Sequence, residues 1–316
     1  MLEVFFCNVG DGDAVLLRER RTGARDYNVL VDCGRPFVEP AEGSFRKEAI
    51  YYLKARGVDH LDRMYLTHLH IDHVGGALRI LSAIPTDRVY AAYLPPEAAG
   101  WLSPSFDSVD KTANGLRHML NIFRDVTDCA RMKGEARTVE AGTEALTDRL
   151  TLTPILPRDE IMTRQRRVFD ALYRGEPVDA LDTFIAAKQR NLSSLMLRFD
   201  YAGRSVLITG DRYASDWEDE PIGPCDVLKL PHHGDPKSMT SALLEKLRPL
   251  IAVISCQSDP RGGKDRPNDG IVQLLQQNVP TLCCTENRAL PTLAPSTHNG
   301  VRIEIAPDGA MTCETE

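Results

Sequence analysis

No stretch of this sequence approaches the roughly 18 consecutive apolar residues that a membrane span needs, so no transmembrane helix is expected. The opening, Met1-Leu2-Glu3-Val4-Phe5-Phe6, lacks the basic region and cleavage pattern of a signal peptide, which argues against export. Cysteine occurs eight times but never as Cys-x-x-Cys, and Cys283 and Cys284 are adjacent. Such scatter argues against a disulfide framework or a cysteine-bound zinc and for reduced thiols in a cytoplasmic protein. A basic excess is also missing: 38 Lys and Arg against 45 Asp and Glu leave a formal net charge of −7. Proteins that grip long duplexes through phosphates carry the opposite balance. Arg164, Arg166 and Arg167 form one local basic cluster, which reads as the solvated face of a helix. A short nucleic acid or a nucleotide remains compatible with this acidity.

What is present is concentrated in a few residues. Thr67-His68-Leu69-His70-Ile71-Asp72-His73 places four metal-type side chains within six positions, and three of the chain's eight histidines lie here. Met64-Tyr65-Leu66 before it suits the end of a strand, and Gly75-Gly76-Ala77-Leu78 after it suits the start of a helix. A loop between a strand and a helix can aim several side chains at one point, as a metal site requires. Neutral imidazoles and a carboxylate are ligands that Zn, Mn and Fe share. The chain therefore reads as a metalloprotein.

The flanking sequence alternates strand and helix. Residues 3–6, 14–18 and 27–31 are β-prone, and 45–55 shows helical spacing closed by Gly57. Residues 89–94 read as a strand, 115–126 as a helix and 150–156 as a strand. Two helices, 161–173 and 178–188, flank Gly175-Glu176-Pro177. Residues 195–199 and 205–209 read as a hairpin around Tyr201-Ala202-Gly203. Strands at 227–230 and 250–255, a helix at 269–277 and a final strand at 301–305 complete the pattern. Alternation of this kind predicts an α/β architecture, and 42% hydrophobic residues suffice for an ordinary core.

His-x-His-x-Asp-His followed by Gly-Gly resembles the signature of the metallo-β-lactamase superfamily, and the likeness extends further. Asn8-Val9-Gly10-Asp11-Gly12-Asp13-Ala14-Val15, Val31-Asp32-Cys33-Gly34, Leu207-Ile208-Thr209-Gly210-Asp211 and Leu228-Lys229-Leu230-Pro231-His232-His233-Gly234 follow in the superfamily's order. The opening run, the segment Asn191-Leu192-Ser193-Ser194-Leu195 and the His232-His233 run resemble the ComEC type, the hydrolase domain of bacterial DNA-uptake channels. The likeness covers roughly residues 1–95 and 190–310. It implies a metallo-β-lactamase-like αββα sandwich over 1–316, with a helical insertion at about 97–190 that is a candidate lid, oligomer or partner surface. It also implies two divalent metal ions, Zn or Mn. His68 and His70 would serve the first, and Asp72, His73 and His232 the second, with Asp211 bridging. Asp72 and Asp211 would then carry the chemistry, and His233 would touch the substrate or protonate its leaving group. If a strand continued through His232 and His233 their side chains would alternate faces, so only one would be a ligand. Asp13 and Asp32 would orient ligand histidines or simply end turns.

The sequence departs from the superfamily at two places. Many members supply a third histidine to the first metal, where this chain has Gln189-Arg190-Asn191. His118, the one histidine between the motifs, lies in the helix expected at 115–126. Arg266 stands where this branch often has histidine before proline, in Lys264-Asp265-Arg266-Pro267; it and Lys237 are candidate phosphate contacts.

A metal hydrolase lowers the pKa of bound water from 15.7 towards about 7, and two metals about 3.5–4 Å apart suit phosphoesters. The first expectation is thus a metal-dependent phosphodiesterase or nuclease. A hydrolase of a thioester, lactam or peptide is the alternative, since one fold hosts many activities. A non-catalytic metal-binding partner protein is the third, though structural zinc sites are usually closed and cysteine-rich.

Overall fold

Leu2, Val4 and Phe6 alternate with Phe5 and Cys7 along the first strand, and the two sets are buried in different cores. Period-two alternation on a strand covered on both faces gives this result, and explains why such strands read as unbroken apolar runs. The computed structural model describes residues 1–97, 99–103, 111–257, 266–287, 293 and 296–316. In it β1 (Leu2–Cys7), β2 (Val15–Glu19) and β3 (Tyr27–Val31) run antiparallel in one sheet. β4 (Leu61–Leu66), β5 (Thr86–Ala91) and β6 (Glu135–Thr138) continue that sheet in parallel. The second sheet lays out β7 (Glu144–Ala145), β8 (Leu150–Ile155), β9 (Met196–Tyr201) and β10 (Arg204–Ile208) in sequence order. It ends with β11 (Val227–Lys229), β12 (Ile251–Ile254) and β13 (Thr281–Cys284). After a short separate pair, β14 (Glu286–Asn287) and β15 (Ser296–Thr297), the chain returns to the first sheet. There β16 (Gly300–Ile305) pairs antiparallel with β1, and β17 (Met311–Thr315) forms the edge.

Three apolar layers separate four layers of structure. Val4, Val31 and Tyr65 of the first sheet meet Phe199, Val206 and Val253 of the second in a core between the sheets. Outside the first sheet, α1 (Ala49–Ala55), the four-residue α2 (Ile71–Val74), α3 (Ala77–Ala83) and α4 (Lys111–Lys133) cover Leu30, Met64 and Leu66. α5 (Asp159–Tyr173) and α6 (Ala180–Lys188) extend the same layer, while α7 (Ser241–Leu247) and α8 (Asp269–Asn278) cover Leu207, Leu228 and Ile254. This is the αββα sandwich that the resemblance implies. Each fully buried Phe or Leu in these layers contributes about 1.5–3 kcal/mol of burial.

Several boundaries differ from the sequence reading, for physical reasons. The stretch 97–190 is more than a helical insertion: α4 places Leu116, Leu120 and Phe123 in the outer core, and β6, β7 and β8 join the two sheets. α5 and α6 pack beside α4 in that outer core, tied down where Tyr173 donates to the Leu120 carbonyl at 2.5 Å. β6, β7 and β17 are edge strands of mostly exposed polar residues, so no apolar run announced them. The expected strand at 89–94 runs instead from Thr86 to Ala91, and Ile305 does not end the last strand. The expected hairpin forms, with Ala202 (φ 51) and Gly203 (φ 76) both left-handed as a two-residue turn requires.

Candidate metal centre

Asp32 leaves β3 in a left-handed conformation (φ 58) that few residues other than glycine, Asn and Asp adopt. From there its carboxylate accepts the Thr67 N–H at 2.8 Å and the Thr67 hydroxyl at 2.7 Å, and binds His73 Nδ1 at 2.8 Å. The Thr67 hydroxyl, its proton directed to Asp32, accepts from His68 Nδ1 at 3.1 Å. These partners assign the proton of both imidazoles to Nδ1 and turn each Nε2 inward. One carboxylate thereby orients two histidines, one directly and one through Thr67.

The second sheet reaches the same point by tighter turns. Gly210 (φ +56) follows β10, and a Cβ there would lie 2.8 Å from the Ser194 Cβ and 3.2 Å from the Thr67 Cβ. Glycine thus permits the approach that delivers Asp211 to the histidine loop. β11 stops at Lys229, and His232 (φ 49), His233 (φ 55) and Gly234 (φ 77) are then left-handed in succession. Strand alternation ends before the two histidines. Both aim at one atom, with their Nε2 atoms 3.8 Å and 3.9 Å from Asp211 Oδ2. The Ser255 carbonyl accepts from His233 Nδ1 at 3.0 Å, which leaves Nε2 facing the centre. Left-handed backbone at bulky residues is strain of the kind that clusters at functional sites.

Two candidate ligand groups result. His68, His70 and Asp211 form one, and Asp72, His73 and His233 the other, each with its donor atoms within 4.8 Å of one another. His68 Nε2 and His70 Nδ1 approach to 3.0 Å. Asp211 stands between the groups, 3.6 Å from His68 Nε2 on one oxygen and 3.4 Å from His73 Nε2 on the other. The imidazole beside Asp72 is that of His233, at 3.6 Å, rather than that of His232 as carried over from the family. His232 lies instead against Asn191, whose Nδ2 is 3.2 Å from its Nε2.

Buried atoms His73 Nε2, His233 Nε2, Asp211 Oδ1 and Asn191 Oδ1 have no hydrogen-bond partner among the described residues. Unpaired buried polar atoms are costly, and this many facing one another fit divalent cations, whose charge also offsets Asp72 and Asp211. Burial lowers His68 far below the usual range and His70 to about 3, so both favour the neutral, ligating form. Burial acts against ionised Asp72 and Asp211, but for Asp72 the adjacent His233 and His73 imidazoles and for Asp211 the His73 and His233 charges prevail and hold both well below the ordinary range. His73 is raised against burial by Asp211 and Asp32.

Other expectations fare differently. Asp13 lies in the centre, its carboxylate joined to the buried Lys229 ammonium, a residue whose role the sequence did not reveal. His118 is exposed on α4 and joins neither group. Arg266 is engaged by Asp235 at 3.1 Å, and Lys237 is exposed near the Tyr213 ring. Lys264 and Asp265 lie outside the described residues. The arginine cluster is exposed on α5, with Arg167 paired to Asp182 at 2.7 Å. All eight cysteines are free thiols, and among the described residues no helix is long and apolar enough to cross a membrane.

Comparison with known proteins adds four findings. A family model described as "Metallo-beta-lactamase superfamily" matches residues 7–258. ComE operon protein 3 of Bacillus subtilis is 26% identical over 290 residues, covering 87% of this chain but 31% of that protein. Recombination protein 2 of Haemophilus influenzae is 34% identical over 73 residues, 22% of this chain and 9% of its own length. The chain thus spans about a third or less of these relatives. Among solved structures, the metallo-beta-lactamase fold protein YhfI from Bacillus subtilis aligns over 96% of this chain and all of its own, with a TM-score of 0.51 and 12% identity.

Proposed function

The chain belongs to the metallo-β-lactamase superfamily as a metal-dependent hydrolase, and from that premise we propose that it cleaves phosphodiester bonds in nucleic acid or nucleotides at a two-cation centre. The observation that carries the reading is Asp211 standing between the His68–His70 and Asp72–His73–His233 groups. A carboxylate shared by two cations suits phosphoesters, whose attacking and leaving oxygens must both be held. Cations bound there, Zn or Mn, supply Lewis acidity that lets water act as the nucleophile at neutral pH. The protein's own part is to orient. Asp32 fixes His68 and His73, the Ser255 carbonyl fixes His233, and Asp72 is the carboxylate that can direct the attacking water. We assign His233 to the second group and leave His232, between Asn191 and Asp211, to touch the substrate. The likeness to a relative named for recombination supports a nucleic-acid substrate.

The test is a turnover screen of the Mn²⁺- and Zn²⁺-loaded protein against single-stranded DNA, RNA, cyclic nucleotides and a chromogenic phosphodiester. Cleavage of at least one, abolished by chelator, is expected. Hydrolysis of a thioester, lactam or peptide with every phosphodiester untouched would replace this reading with the alternative.

A further inference from the structure

Among the described residues Arg35, Arg190 and Arg266 lie beside the metal centre, and they differ in what neutralises them. Arg35 is forked onto both oxygens of Asp11, at 2.6 Å and 2.9 Å. Arg266 is held by Asp235 through two nitrogens, at 3.1 Å and 3.2 Å. Arg190 has no such partner. It follows α6, and its half-buried side chain folds back so that Nε donates to the Ala187 carbonyl at 2.9 Å and a terminal nitrogen to the Leu69 carbonyl at 3.1 Å. Both anchors are neutral, and Leu69 lies between His68 and His70, so the guanidinium is pinned to the backbone of the histidine loop itself.

Among the described residues Arg190 makes no ion pair, and Asp72 is the carboxylate whose charge it feels. In return, after burial, Arg190 is the strongest influence on His70. Burial pushes Arg190 down to about 10, which leaves it cationic at neutral pH. A fixed cation beside a centre that gathers divalent cations raises the energy of the loaded protein. That cost is offset when an anion enters between them. The second terminal nitrogen of Arg190 makes no hydrogen bond among the described residues and is available for one. α5 and α6 contribute to this placement: Gln165 on α5 donates to the Gln189 carbonyl at 3.0 Å, next to Arg190.

We infer that Arg190 binds a non-bridging phosphoryl oxygen of the substrate, so that the His70–Asp72 rim is an anion subsite. The inference rests on the phosphodiesterase reading for its substrate, while its own geometry calls only for an oxyanion. A guanidinium presents planar, paired donors that match phosphate, and charge-assisted bonds of this type contribute about 1.5–3 kcal/mol, or roughly 10- to 150-fold in affinity.

The experiment titrates inorganic phosphate into Mn²⁺-loaded wild type, R190Q, R190K and R266Q, with metal content and thermal melting followed in each. Phosphate binding in R190Q should weaken by roughly 10-fold or more, with unchanged metal content, and R190K should fall between it and wild type because a point charge replaces the fork. R266Q should stay within about twofold. R190Q that folds, keeps its metal and binds phosphate within about twofold of wild type overturns the inference. If R190Q does not fold, a crystal of Mn²⁺-loaded wild type with phosphate decides: an anion within hydrogen-bond distance of Arg190 is expected, and its absence there overturns the subsite. Phosphate held through Arg190 with no phosphodiester turnover would remove the phosphodiesterase reading and keep the subsite. Phosphodiester turnover unchanged in R190Q would do the reverse.

Discussion

The two sheets supply the metal centre in opposite ways. The first sheet gives His68, His70, Asp72 and His73 from the loop and short α2 after β4, with Asp32 alongside just past the end of the neighbouring β3. The second gives Asn191 from a short helical turn before β9, Asp211 beside the left-handed Gly210, and His232 and His233 from one left-handed turn after β11. One side is a contiguous, pre-oriented cluster; the other is assembled by tertiary structure. The contrast teaches that stiffness in the first half comes from a hydrogen-bonded hub, and in the second half from the sandwich itself.

The largest effect should come from the residue that joins the two sides. Asp211→Ala removes the carboxylate shared by both groups, and several kcal/mol of charge stabilisation corresponds to about 10³-fold in rate. Steady-state turnover of the chromogenic phosphodiester checks it; a loss under about tenfold would break the comparison.

Next comes the hub of the contiguous side. Asp32→Ala frees the orientation of both His68 and His73, and loss of such a supporting partner typically costs 10- to 100-fold in activity or metal affinity. Asp32→Asn, isosteric but uncharged, should retain more. If both variants keep wild-type metal affinity, Asp32 merely ends a turn.

The assembled side is sharpened by its two adjacent histidines. His233→Ala should lose one cation per chain in elemental analysis, while His232→Ala keeps both and raises KM. The reverse outcome would restore the ligand pattern carried over from the family. The group lacking a third imidazole, where Asn191 stands, should also fill with the weaker affinity in a metal titration.

The smallest effect lies far from the centre. Arg63 forks onto Glu144 at 2.6 Å and 2.7 Å, and this hydrogen bond holds Glu144 below its ordinary range. A depressed carboxylate stabilises the fold above its unfolded pKa of about 4.3, and the increment is lost as pH falls through the lower folded value. Glu144 is half exposed, so the pair contributes at most about 1 kcal/mol. Urea unfolding of Glu144→Gln should differ from wild type by that amount at pH 7 and converge with it once the pH falls below the lowered folded value.

How much was legible follows the same division. The histidine loop could be read because its ligands are neighbours in the chain, and the buried strands because apolar runs such as Leu2–Cys7 stand out. The choice between His232 and His233 rested on the resemblance, because no local signal marks two histidines as left-handed except the glycine that follows them. Lys229 looked like an ordinary strand residue until Asp13, 216 positions away, was seen to meet it. Arg190 carried no signal beyond standing where a histidine was missing. Edge strands β6, β7 and β17 were invisible because they bury too little to require apolar residues.

The central claim is that Asp211 joins ligand groups from both sheets into one two-cation centre. Cation stoichiometry tests it most directly, measured by elemental analysis of wild type and Asp211→Ala after loading with Mn²⁺ or Zn²⁺ and removal of free metal. Two cations per chain in wild type and fewer than two in the variant are predicted. One or none in wild type, or two held as tightly without Asp211, would contradict it.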